Sequence, residues 1–128
     1  ECKKLIESMS FSKSSTIFGK EKTKGALEGI IGSVYQTAFG EDVYMSVQEK
    51  AANLLYFIVK NEPFKSGNQQ IGGFLFVVYL TVNQIQLSNL GETKISDRAL
   101  TALVLLISES VNSEKGLMID LICKLLDN

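Results

Sequence analysis

The chain has 128 residues, of which 45% are hydrophobic and 21% charged, and its formal net charge is −1. This composition predicts one globular domain around a single core, and the charge gives no electrostatic basis for binding nucleic acid or an anionic membrane. The absence of histidine excludes Cys-His and Ser-His nucleophilic sites and histidine-based zinc centres.

The lack of a visible membrane span or signal peptide, and the placement of the two cysteines, also restrict the class of protein. No apolar run reaches the ~18 residues that a membrane span requires, and no signal peptide is visible. Cys2 and Cys123 form no metal-spaced or redox motif, which is typical of a reducing cytoplasm. Because the chain begins with Glu1 rather than methionine, we expect a fragment of a larger protein.

The first third of the chain predicts two helices. Residues 1–20 are interpreted as an N-terminal extension, with a short amphipathic helix from Cys2 to Met9 followed by a serine-rich loop. A second helix is predicted from about Glu21 to Ile31, ending at Gly32. Its apolar face comprises Leu27, Ile30 and Ile31.

Residues 32–45 have a different character. They are rich in β-branched and aromatic residues around a turn signal at Gly40-Glu41-Asp42. This pattern predicts a short β-hairpin or an extended segment. A loop that covers one end of the core fits the pattern equally well.

Two strongly apolar helices are predicted next. Ser46 and Glu49 form a capping box that starts a helix running to about Lys60, which must be buried almost all round. The helix from about Asn68 to Asn83 has no polar face, and its length favours helix over strand. Gly72 and Gly73 would allow a neighbouring helix to approach closely.

The remaining sequence predicts two further helices, giving an all-α bundle of about six helices in one domain, residues 1–128. One helix runs from Ser96 or Asp97 to about Ser108, with Leu100, Leu103, Val104 and Ile107 at helical spacing. Ser113 is expected to cap the last helix. Its predicted inner face comprises Leu117, Leu121, Ile122 and Leu125.

A polar loop, residues 61–70, connects the two apolar helices. It contains Pro63, the only proline, and a Gly67-Asn68 pair that accepts positive φ. A loop held between two core helices suits a ligand or substrate site, although an ordinary helix–loop–helix connection would have the same composition.

The loop resembles the signature of the Fic/Doc family, His-Pro-Phe-x-(Asp/Glu)-Gly-Asn-(Gly/Lys)-Arg. Its framework residues are present as Pro63, Phe64, Gly67 and Asn68. The three chemical positions differ: Glu62 stands in place of the histidine, Ser66 in place of the acidic residue and Gln70 in place of the arginine.

The resemblance extends over roughly Lys24 to Leu125. Segments such as Gly29 to Thr37, Glu49 to Phe57 and Ile71 to Phe76 are similar to the Fic domain attached to RhuM-type virulence proteins. The resemblance implies a Fic/Doc helical bundle in which residues 32–45 form a flap that aligns a target by strand addition. The implied target-binding residues are Val34, Tyr35, Gln36, Thr37, Val43 and Tyr44.

The resemblance also implies a chemistry. Family members with the intact motif transfer AMP, or phosphate in Doc-like cases, to a protein hydroxyl. The histidine is the general base, the acidic residue holds Mg²⁺, the arginine binds a phosphate, and the Gly-Asn-x amides form an anion hole. The implied nucleotide- or anion-binding positions here are Phe64, Ser66, Gly67, Asn68, Gln69 and Gln70.

The replacements change the charge of the motif. The intact motif sums to zero, whereas Glu62 alone leaves −1 here. A like-charge contact at ~4 Å costs about 4 kcal/mol at an effective dielectric of ~20, which opposes triphosphate binding. Lys65 is expected to point into solvent.

The leading prediction is therefore a degenerate, catalytically inactive domain of the bacterial cytoplasm that binds a protein partner. It would use no cofactor, no metal, no nucleic acid and no membrane. One alternative is an active transferase that uses ATP with Mg²⁺, with Glu62 as the base and Ser66, Asn68 and Gln70 positioning phosphates. Another is an inert structural or dimerisation module.

Overall fold

The fold is mostly helical, as predicted. The computed structural model describes residues 19–35, 37–38, 41–42, 46–83, 88–89, 92–93 and 97–127. The α-helices within these ranges are α1 Ala26–Val34, α2 Val47–Asn61, α3 Asn68–Val82, α4 Asp97–Glu109 and α5 Lys115–Asp127. The predicted helix from Cys2 to Met9 lies outside the described residues. Across those residues, no helix is long and apolar enough to cross a bilayer.

Two very short antiparallel pairs lie between the helices. Strands β1 Thr37–Ala38 and β2 Glu41–Asp42 pair with each other, as do β3 Ser88–Asn89 and β4 Glu92–Thr93. The first pair lies inside the predicted flap, of which Gln36, Val43 and Tyr44 fall outside the described residues. The target-binding role of residues 32–45 stays a prediction.

Helix α2 is the centre of the bundle and packs against α1, α3, α4 and α5. The Ser46 hydroxyl caps it by accepting a hydrogen bond from the Glu49 amide at 3.0 Å, as the sequence predicted. Every residue from Ala51 to Tyr56 is buried, as are Ile58 and Val59. This burial confirms that α2 is enclosed on nearly all sides, so the other helices take their positions from it.

Helices α2 and α3 approach closely at Gly72. A Cβ atom at this position would lie 3.3 Å from Ile58 Cγ2 and 3.4 Å from Val59 Cγ2, so even an alanine would require these side chains to shift by a few tenths of an ångström. At Gly73 the nearest side-chain atom, from Leu100, would lie at an ordinary 3.7 Å. The predicted close approach therefore depends on Gly72 and not on Gly73.

The apolar side chains form two clusters that share α2 and α3. One lies among α2, α3, α4 and α5 and includes Phe76 and Ile107. The other lies among α1, α2 and α3, and Phe64 of the connecting loop belongs to it. The loop between α2 and α3 is thus anchored in the core by its own side chain.

The sequence placed α1 five residues too early. The helix starts at Ala26, because Gly25 has a left-handed backbone with φ of 84°. The Glu21 carboxylate accepts a hydrogen bond from the Leu27 amide at 2.8 Å and caps the helix from outside it. The predicted end at Gly32 is also wrong, since α1 continues to Val34.

The start of α5 also differs from the prediction. Ser113 is not the cap; it lies within a 3₁₀ turn, Asn112–Glu114, that leads into the helix. The Glu114 carboxylate accepts a hydrogen bond from the Val111 amide at 2.9 Å, and the Glu114 amide donates to the Val111 carbonyl. The acidic side chain therefore does the capping that we assigned to serine.

The buried face of α5 includes Ile122, as predicted, but at the other positions it is shifted by one residue from the predicted face. The fully buried positions are Met118, Ile122 and Leu126, whereas Leu117 is 63% exposed and Leu121 and Leu125 are half-buried. Two apolar rows run side by side along this helix, and periodicity alone does not decide which of them faces the core.

We expect Met118→Ala to lower the free energy of unfolding by about 2–4 kcal/mol, because it opens a cavity in the main cluster. Leu117→Ala is the matched control from the exposed row and should change it by less than about 0.5 kcal/mol. Urea unfolding of both variants measures the difference. A larger loss for Leu117→Ala than for Met118→Ala would mean that the sequence-predicted face was the correct one.

Candidate functional site

The loop of residues 61–70 is held by backbone pairing to the segment that precedes α1. The Lys22 amide donates to the Pro63 carbonyl at 2.8 Å, and the Lys65 amide donates to the Lys20 carbonyl at 2.7 Å. The Gly19 amide donates to the Ser66 carbonyl at 3.1 Å. Residues 19–22 thus run antiparallel to the loop. Sequence reasoning missed this pairing because the segment has no strand pattern.

Asn68 closes the loop with its side-chain amide. Its Oδ1 accepts a hydrogen bond from the Phe64 amide at 2.9 Å, and its Nδ2 donates to the Phe64 carbonyl at 2.8 Å. Both polar ends of the side chain are therefore used inside the loop. Among the predicted nucleotide-binding positions, Asn68 and Phe64 consequently belong to the framework, since Phe64 is only 1% exposed.

Gly67 supplies the turn into α3. Its φ of 86° is left-handed, and the Ile71 amide donates to its carbonyl at 2.8 Å as the first turn of the helix forms. Gly67 offers no side chain to cap the helix, and the first turn contains no acidic residue. The leading amides of a helix lack intrahelical partners and carry the positive end of its dipole, so this end of α3 is electrostatically suited to an anion.

Glu62 occupies the histidine position and ends α2. Its amide donates to the Ile58 carbonyl at 3.1 Å, and its backbone is left-handed with φ of 47°. The side chain is exposed. The desolvation that would prepare a carboxylate as a general base is therefore missing at this position.

The other replaced positions lie on either side of Gly67. Ser66 is half-buried in the loop, and Gln70 is exposed in the first turn of α3. Gln70 and Gln69 line a cavity of about 280 Å³ between the start of α3 and helix α4. The Gln69 amide nitrogen donates to the Ser108 hydroxyl at 3.5 Å, a long contact.

The cavity beside the loop is uncharged. Apart from the two glutamines, its walls are made by Gly73, Phe74, Leu100, Thr101 and Val104. None of these residues carries a cation that could neutralise a phosphate. Lys65 is exposed, as predicted, and is not part of the wall. Across the described residues, no three His, Cys, Asp or Glu side chains are grouped as metal ligands.

Of the residues predicted to form the flap, Val34 lies in the core and Tyr35 lies at the surface. Val34 is buried in the cluster around α1, so its side chain is not available to a target. Tyr35 is 49% exposed, and its hydroxyl lies 2.7 Å from that of Tyr79. Burial, together with the Tyr35 hydroxyl, raises the pKa of Tyr79 well above its ordinary value. Lys50 Nζ lies 5.3 Å from the centre of the Tyr35 ring.

We expect Asn68→Ala to lower the free energy of unfolding by about 2–3 kcal/mol, because it leaves both backbone groups of Phe64 unpaired. Gln69→Ala is the control one residue away, and its weak contact to Ser108 should be worth less than about 0.5 kcal/mol. Urea titrations of the two variants provide the test. A loss at Asn68 no larger than that at Gln69 would contradict the assigned role.

At Glu62, glycine should be the more stable replacement. Glu62→Gly removes the steric cost of a side chain at positive φ. The free energy of unfolding of this variant should therefore be about 1 kcal/mol higher than that of Glu62→Ala. Both variants remove the carboxylate, so the comparison isolates the backbone. Denaturant midpoints at constant slope measure it, and a more stable alanine variant would exclude strain at this residue.

One comparison with known proteins found a family, and the matched region contains the loop of residues 61–70. The model of the Fic/DOC family matches residues 3–80, a span that includes α1, α2, the loop and most of α3. No curated protein and no solved structure matched the chain. The family match covers more than half of the sequence and contains the whole of the framework described above. The chain therefore belongs to the Fic/Doc family.

Proposed function

We propose that this domain, of the type attached to RhuM-type virulence proteins, has lost nucleotide transfer and acts in the bacterial cytoplasm as a protein-interaction module. Fic/Doc domains are generally involved in protein modification. One observation carries the proposal. The two side-chain hydrogen bonds within the loop are both made by the framework residue Asn68 to the framework residue Phe64, while Glu62, Ser66 and Gln70 stand where the family has its catalytic groups.

Binding of a nucleoside triphosphate is opposed by the charges. The three chemical positions of the motif carry one carboxylate and no cation, Lys65 is exposed and does not line the adjoining cavity, and the walls of that cavity are uncharged. The unpaired amides at the start of α3 offer only partial charges. Transfer from ATP normally depends on a metal ion and a cationic side chain to neutralise the phosphates. Glu62, Ser66 and Gln70 provide no cationic side chain at the positions where the family has its catalytic groups.

Partner binding is supported by the short pair of strands that follows α1. Strands β1 and β2 form a short two-stranded edge, and the half-exposed Tyr35 lies at its base. Edge strands bind extended peptides through main-chain hydrogen bonds, and tyrosine is frequent in protein interfaces. The residues proposed for the contact are Tyr35, Thr37 and, outside the described residues, Gln36, Val43 and Tyr44.

The second candidate is a transferase with altered chemistry, which would use ATP and Mg²⁺. The observation that favours it is the uncapped start of α3 beside a cavity of about 280 Å³. In this reading the amides of Gly67 and Gln69 would hold a phosphate, and Glu62 would accept the proton of a target hydroxyl. The exposure of Glu62 is the main argument against it.

The decisive experiment restores the missing groups. We expect calorimetry to detect no binding of ATP with Mg²⁺ to the wild-type domain at millimolar concentration. The triple variant Glu62→His/Ser66→Asp/Gln70→Arg should bind, because the framework would hold the restored groups in place. Val82→Arg adds the same charge at the other end of α3, where the side chain is 73% exposed, and should bind no ATP.

Two results would contradict the proposal. Micromolar binding of ATP by the wild type, accompanied by labelling of a protein that Glu62→Ala abolishes, would establish the second candidate. Absence of binding in a folded triple variant would mean that the loop no longer has the geometry that the family chemistry requires.

A further inference from the structure

Helix α4 has two apolar faces. One packs against α2 and α3 and contains the buried residues Leu103, Val104 and Ile107. On the opposite side of the helix, Leu105 is 50% exposed and Leu106 is 46% exposed. A surface helix of a globular protein normally carries polar residues opposite its buried face. The second apolar face is therefore a feature of α4 that packing within this domain does not account for.

The second face is a narrow stripe that runs the length of the helix. It contains four exposed residues spaced by four, three and four positions, which we call the outer seam: Arg98, Ala102, Leu105 and Glu109. At about 100° per residue, all four lie within about 60° of one another around the helix axis. Leu106 borders the outer seam and widens its apolar part. The ends of the outer seam are about 17 Å apart along the axis.

The order of residues along the outer seam indicates what would cover it. A cation stands at its first position and an anion at its last, with one small and one large apolar residue between them. When a second copy of α4 is laid antiparallel across the outer seam, Arg98 meets Glu109 of the second copy. In the same register Ala102 meets Leu105, because both pairs are symmetric about the midpoint of the seam. A twofold axis repeats both contacts, so all four positions are matched.

A parallel arrangement has no such match. Two parallel copies related by a twofold axis would place Arg98 beside Arg98 and Glu109 beside Glu109. Like charges that face each other across an interface oppose association, whereas opposite charges fix the register. The charges of the outer seam therefore favour an antiparallel second copy.

The helix dipole favours the same arrangement. Arg98 lies in the first turn of α4, and Glu109 is its last residue in a turn that has no basic residue. Both charges are at the unfavourable end for the dipole of their own helix, although the acidic Asp97 offsets the first of them. In an antiparallel pair each charge lies beside the opposite end of the neighbouring helix, where its sign is favourable.

We propose that the outer seam binds the same face of a second copy of this chain, with the two α4 helices antiparallel. Ala102 and Leu105 form the apolar centre, and two Arg98–Glu109 pairs close the ends. One helix per copy is a small contact beside the roughly 1,600 Å² of a standard interface, so we expect a dissociation constant on the order of 100 µM. The outer seam shares no residue with the motif loop or with β1 and β2, so its test is independent of those of the proposed function.

The test is sedimentation velocity of the 128-residue chain over a concentration series. With that dissociation constant, the chain should be mostly monomeric at about 10 µM and mostly dimeric at about 1 mM. Arg98→Glu and Glu109→Arg should each weaken self-association at least about tenfold, because each places like charges at both ends of the contact. Both variants improve the match to the helix dipole, so we expect them to fold.

The matched controls make the same changes of charge on other helices. Lys124→Glu on α5 and Glu28→Arg on α1 alter exposed residues outside the outer seam. Each should leave the dissociation constant within about twofold of the wild-type value, because isolated surface charges contribute little. A control that weakens the dimer as much as the seam variants would mean that net charge, and not the pairing, governs association.

Two rescues test the antiparallel pairing itself. An equimolar mixture of Arg98→Glu and Glu109→Arg should form a heterodimer with nearly wild-type affinity, because opposite charges then meet at both ends. The double variant Arg98→Glu/Glu109→Arg should self-associate like the wild type for the same reason. A wild-type chain that stays monomeric at 1 mM would overturn the proposal and leave a different protein as the occupant. A dimer that neither reversal weakens, or a mixture that does not pair, would place the contact on another surface and would also overturn it.

Discussion

The two hydrogen bonds between the Asn68 side chain and the backbone of Phe64 are the constraint on which the rest of the loop depends. They bring the start of α3 back onto the end of the loop that leaves α2, so Phe64 can enter the cluster around α1. With Phe64 fixed, the neighbouring carbonyl and amide groups are presented in register to residues 19–22. One side-chain amide thus links the buried Phe64, the start of α3 and the backbone pairing with residues 19–22.

The arrangement explains why the shape of the loop does not depend on the side chains at positions 62, 66 and 70. The groups that define the backbone are internal to the loop or belong to the core, whereas Glu62 and Gln70 are exposed and Ser66 is half-buried. Exposed side chains contribute little to the free energy of unfolding, so exchange at these positions leaves the fold almost unaffected. Stability and chemistry are carried by different residues of the same ten-residue segment.

The sequence predicted the elements that local signals determine. Helices α2, α3 and α4 were placed to within a few residues, because each has a strong apolar pattern, and the Ser46 cap of α2 was identified from its spacing to Glu49. The framework of the loop followed from the motif. The start of α1 and the Glu114 cap were missed although their contacts are local, because in both cases a glutamate side chain caps the helix start in place of a serine or threonine. The buried row of α5 was missed because it depends on packing against other helices. The role of the Asn68 side chain depends on the shape of the loop, and the cavity between α3 and α4 depends on how two separate helices pack, so neither was predictable from residue types.

The left-handed backbone at Glu62 restricts which residues the position can exchange into. Valine, isoleucine and threonine would clash there, while asparagine, aspartate, glycine and histidine adopt this conformation more readily than most residues. The turn at the end of α2 is therefore sterically compatible with histidine, the residue of the family signature, as well as with glutamate. The residues it excludes most strongly are β-branched ones, which have no proton-transfer chemistry, so the backbone by itself narrows this position toward residues that can carry a proton.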